Sequence, residues 1–146
     1  MTALKRWLAL VGWIQVSAII AVFMPKAWMD ACSELMGVDP LAATPLAGYL
    51  ARLSSAMYVV HGSLLLIISK SLPKHLPVVP AFARTTLGLA AMMLWIDVVE
   101  GMPIDWTAME FFALFVSGCT TEWLARRAIR MRSENARELL HIDAVE

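Results

Sequence analysis

The sequence predicts an all-α integral membrane protein. The expected architecture is a four-helix bundle with both termini cytoplasmic, a short outer amphipathic helix and a cytoplasmic helical extension at the C-terminus. Three observations carry this expectation. Stretches 6–24, 46–69, 82–101 and 104–124 are mostly apolar and match the roughly 20 residues that cross a hydrocarbon core. Sixty per cent of the 146 residues are hydrophobic and the mean hydropathy is +0.67, against about 45–50% apolar in soluble domains. Lysine and arginine, Lys26 apart, also fall on one side of the predicted membrane, as the positive-inside rule requires.

The first span follows Lys5 and Arg6. Its apolar run exceeds the roughly 7–15 residues of a signal-peptide core, so it is expected to be a retained span. Gln15 and Ser17 are its clearly polar interior residues. After Pro25, the stretch KAWMDACSELMGV repeats Trp28, Met29, Cys32, Leu35 and Met36 at helical spacing, with Lys26, Asp30 and Glu34 on the other side. That pattern predicts an amphipathic helix over 26–36 lying on the outer surface. Gly37 should stop it, leaving DPLAATP as a loop.

The second span starts after Pro45 and ends near Ser69–Lys70. SLPKHLPVVP reads as a stiff connector because it contains three prolines. Gly101 ends the third span and Pro103 opens the fourth. So short a hairpin makes those two helices antiparallel neighbours. The fourth helix is expected to continue into a tail over 125–146, where Arg126, Arg127, Arg130 and Arg132 suit anionic lipid headgroups.

Orientation follows from the charges. Lys5, Arg6, Lys70, Lys74, Arg84 and the arginines of the tail, Arg137 included, lie on one side. Lys26 lies on the other, beside Asp30, Glu34, Asp39 and Asp105. Trp7 and Trp123 mark the inner interface, and Trp28 and Trp106 the outer one. The chain is therefore expected to form one transmembrane domain, 1–146, in a cell's inner membrane. No long basic tract points to nucleic acid. Cys32 and Cys119 fall in opposite halves of the membrane, so no internal disulfide is expected.

The polar residues inside the spans draw the most attention, because ionisable groups in lipid are costly and usually functional or paired. At 1.5 Å per residue, Arg52 and Glu110 lie about 9 Å below the outer ends of their helices, and Asp97 about 6 Å below its own. Arg52 is therefore expected to pair with Asp97 or Glu110, with Glu100 as a third partner. Ser55, Ser63, Thr86, Ser117 and Thr121 lie on the same helical stripes. His61 sits half a turn from Arg52 and about 13 Å deeper, level with Gln15, to which it is expected to hydrogen-bond. Tyr58 and Ser54 share its face. A sharper reading makes His61 a haem or (bacterio)chlorophyll ligand, with Gly62 leaving room for a flat ring.

PLAGYLARLSSAMYVVHG and WIDVVEGMPIDWTAMEFF resemble a family of small, mainly environmental-bacterial membrane proteins. The shared pattern falls on Tyr49, Arg52, Ser55, Tyr58, His61, Gly62, Asp97, Gly101, Met102, Pro103, Trp106, Thr107 and Glu110. The resemblance covers about a quarter of the chain; it implies a four-helix membrane protein and brings no activity with it.

Catalytic signatures such as GxSxG, HExxH, a P-loop or GxGxxG do not occur in the sequence, and no metal-ligand spacing appears. An enzyme is therefore the less favoured class. The leading expectation is a non-enzymatic structural or accessory subunit, or a homo-oligomer, in contact with membrane lipids and held by a buried Arg–carboxylate seam. The alternative is a binder or carrier of a lipid, quinone or proton-coupled solute in a polar pocket near Arg52 and Glu110. A pigment or haem protein using His61 is the second alternative; otherwise no cofactor is expected.

Overall fold

A computed structural model describes the backbone of residues 1–35 and 45–143 and, in the final helix, the side chains up to Arg137 apart from Ala136. Met36, Gly37, the loop expected over 39–44 and residues 144–146 lie outside the described residues. Every described element is helical. They are α1 (Thr2–Val16), α2 (Ile19–Val22), α3 (Lys26–Leu35), α4 (Pro45–Lys70), α5 (Leu72–His75), a 3-10 turn (Leu76–Val78), α6 (Val79–Glu100) and α7 (Ile104–Asp143).

Three stretches are long and apolar enough to cross a membrane: Thr2–Val22, Pro45–Lys70 and Leu72–Glu100. The region expected as a fourth span is the first half of α7, which carries Asp105, Glu110 and Glu122 and is not among them. Between α1 and α2 the backbone only tightens. Ser17 and Ala18 keep right-handed helical angles, and the Ala18 and Ile20 amides bond three residues back. The Ser17 hydroxyl donates to the Ile14 carbonyl at 2.6 Å, a back-bond that favours this local narrowing.

The proline-rich connector is helical, which corrects the reading of it as a rigid loop. Pro73, Pro77 and Pro80 each stand in the first turn of a helical piece. There a missing amide proton costs nothing and the fixed φ suits the helix. α6 consequently begins at Val79 rather than at residue 82. At its other end, Gly101 turns left-handed (φ 68°), and the Gly101 and Met102 amides both donate to the Asp97 carbonyl. This is the glycine-terminated cap the sequence announces.

α1 packs along α4, and α6 along α7, with α1 also touching α7. α1 and α4 run antiparallel, since residue 12 meets 62 and residue 15 meets 61. They meet at a pair of glycines. A Cβ on Gly62 would sit 2.6 Å from the Gly12 carbonyl oxygen and 2.9 Å from the Val16 nitrogen. Close backbone approach of this kind is how membrane helices gain packing contacts. Gly62 therefore faces α1 backbone and offers no slot for a flat ring, contrary to expectation. The core lies at one end, where Leu4, Leu8, Leu65, Leu72, Leu76, Val79, Ala125 and Ala128 pack together. The helical connector thus closes the end of the bundle that holds the α1 N-terminus.

Candidate functional site: a polar cavity between two helix pairs

Away from that core the α1–α4 and α6–α7 pairs border a half-open cavity of about 590 Å³. Met57, Leu89, Met93 and Leu114 form its apolar wall. Its polar lining includes Gln15 from α1, Tyr58 and His61 from α4, Asp97 from α6, and Trp106 and Glu110 from α7. Thr86 and Asp97 both line it, so it extends about 16 Å along α6 at 1.5 Å per residue. A second space of about 410 Å³ lies between α1 and α7 and shares Gln15, Tyr58, Glu110 and Leu114 with the first. Ser117 lines only this second space. The two helices are tied at its end nearest the α1 N-terminus, where the Trp7 indole donates to the Thr121 hydroxyl at 2.9 Å.

Several of these polar groups have identifiable partners. His61 Nδ1 lies 2.6 Å from Gln15 Oε1. In the tautomer protonated at Nδ1, the imidazole donates to that oxygen. The imidazole also stacks on Phe82, with ring centroids 4.6 Å apart. Tyr58 of α4 and Trp106 of α7 stand beside Glu110. The Ser54 hydroxyl donates to the Leu50 carbonyl at 3.0 Å and Thr86 to the Phe82 carbonyl at 3.0 Å. Asp97 is 4% exposed, and its carboxylate has no hydrogen-bond or ion-pair partner among the described residues. Glu110 is close enough for the two carboxylates to repel each other.

Arg52 is not among these residues, and the expected Arg52–carboxylate seam does not form. Its guanidinium donates to the Met24 carbonyl at 3.0 Å and the Gly48 carbonyl at 3.2 Å. The Arg52 face turns instead to the chain just past α2. Ser55 bonds back to the Ala51 carbonyl, and Glu100 is exposed. The His61–Gln15 hydrogen bond is present as expected, and it stands in the same cavity as the two carboxylates.

The sequence marks Trp106 only as an interfacial anchor. Its spacing of four from Glu110 puts both on one face of α7, which is the signal that could have placed it in the site. Glu122 escapes the sequence reasoning as well. It takes Arg126 at 2.7 Å and Arg84 at 3.3 Å, joining α6 to α7. Of the arginines expected at lipid headgroups, Arg132 donates to the Pro73 carbonyl at 3.0 Å and Arg127 lies over the Trp123 ring. Among the described residues, no group of acidic, histidine or cysteine side chains is arranged to hold a metal.

Comparison with protein-family models, with curated proteins and with solved structures finds no match to this chain.

Proposed function

We propose that this protein is a non-enzymatic membrane protein that binds a small apolar or amphipathic molecule in the cavity between its two helix pairs. The supporting observation is Asp97, a carboxylate almost wholly out of solvent, without a partner among the described residues, at the wall of a space large enough for a small molecule. Leaving such a group unpaired in a low-dielectric interior is costly. Concave, mostly apolar spaces with a few convergent polar groups are where proteins hold ligands. The purely structural reading rested on a buried Arg52 seam, and Arg52 goes elsewhere.

In this proposal the first half of α7 completes four spans in a cell's inner membrane, with both termini cytoplasmic. The space between α1 and α7 then opens sideways to lipid, which suits a ligand arriving from the bilayer. Native mass spectrometry of protein extracted in its own lipid tests the reading. A small adduct should accompany the wild type and be absent from Leu114→Trp, which fills the wall common to both spaces, provided that the variant keeps its helical circular dichroism. A wild type without an adduct, whose melting temperature no amphiphile shifts, would sink the proposal.

A further inference from the structure

Proceeding from that reading of the cavity, we infer that the ligand is a protonated amine carrying an apolar tail, bound with its ammonium group against Asp97 and Glu110. The argument is a donor and acceptor census of the lining. The Tyr58 hydroxyl and the Trp106 N–H stand beside Glu110, Ser54 and Thr86 donate to backbone carbonyls, and His61 Nδ1 lies against Gln15 Oε1. The Gln15 amide N–H groups stand beside His61. What remains at the Asp97 end are acceptors: both oxygens of an unpartnered carboxylate and the rest of Glu110. A ligand that satisfies them brings donors, and one that also brings positive charge relieves the repulsion between the two carboxylates.

No cation among the described residues does this. The Arg52 guanidinium is held by the Met24 and Gly48 carbonyls, and Arg84 lies with Glu122. An ammonium offers three donors. Trp106 beside the carboxylates supplies an aromatic surface, and a cation near such a face gains further attraction. From there the space runs past Met93, Leu89 and Met57 toward Thr86 and His61, a course that fits an alkyl chain. A carboxylate headgroup would meet two like charges, and a quinone brings only acceptors.

The test uses the full-length protein in detergent micelles and three probes of equal tail length, octylammonium, octanol and octanoate, with affinities measured by calorimetry. Octylammonium should bind at least about tenfold more tightly than octanol, as a charge-assisted hydrogen bond to a buried carboxylate requires, and octanoate most weakly. Asp97→Asn, which keeps shape and removes charge, should bring octylammonium down to the octanol level while leaving octanol unchanged. Glu110→Gln should act in the same direction and serves if Asp97→Asn does not fold. Octanol or octanoate binding as tightly as octylammonium, or amine binding that ignores both substitutions, overturns the amine assignment and leaves the small-molecule reading intact. Binding of none of the three, with Leu114→Trp indistinguishable from wild type in the native-lipid experiment, overturns both.

Discussion

A guanidinium bonded to two backbone carbonyls acts as a cap. Arg52 satisfies the Met24 oxygen just past the end of α2 and the Gly48 oxygen on its own helix, so it ties the chain beyond α2 to α4. Carbonyls at helix ends lack intrahelical donors, and a cation there also complements the helix dipole. Arg52→Ala should lower stability by about 1–3 kcal/mol, the usual cost of losing hydrogen bonds to a charged group. Thermal melting in detergent checks this, and unchanged octylammonium binding by the same variant would separate the cap from the cavity. Asp97 is the opposite case. Asp97→Asn removes a buried charge that no described group balances, so the unliganded protein should melt no lower than wild type, and a clear fall would reveal a hidden partner.

Two glycine contacts control how the helices approach each other. Gly62 leaves no room for a methyl group, because its Cβ would fall within 3 Å of α1 backbone and of Gln15 Cβ. Gly62→Ala must push α1 and α4 apart, at about the 1–3 kcal/mol typical of overpacking, and should also disturb the neighbouring His61–Gln15 bond. Gly88 is the control. A Cβ added there on α6 would meet nothing within 4 Å, so Gly88→Ala should leave the packing unchanged and raise stability by up to about 1 kcal/mol through lost backbone freedom. Comparing their melting temperatures tests the crossing directly. Gly118 repeats the pattern on α7 against the Leu87 side chain, 2.7 Å away, which can move, so its alanine variant should cost less than that of Gly62.

For the whole molecule, the proposed topology puts Cys32 outside and Ser133 inside. Cys32 is exposed, so in a Cys119→Ser background a membrane-impermeant maleimide should label it in intact spheroplasts. In a separate Ser133→Cys variant lacking both native cysteines, labelling should appear only after lysis. Labelling of both positions before lysis would refute the orientation. Hydropathy and charge sufficed for the helical class, for three apolar stretches, and for the Gly101 cap, because burial in lipid and helix termination depend on local composition. Spacing likewise placed His61 level with Gln15, since depth along a helix is simply residue number times rise. Rotation about each helix axis and the course of the connector were decided only by the tertiary structure. Spacing predicts similar depths for Arg52 and Asp97, yet Arg52 bonds to the chain just past α2 while Asp97 lines a cavity. Pro73, Pro77 and Pro80 look like breakers in sequence, and they become helix starts only because Leu72, Leu76 and Val79 find a core to pack into. Azimuth and packing arise from contacts between segments far apart in the chain, and no local pattern contains them.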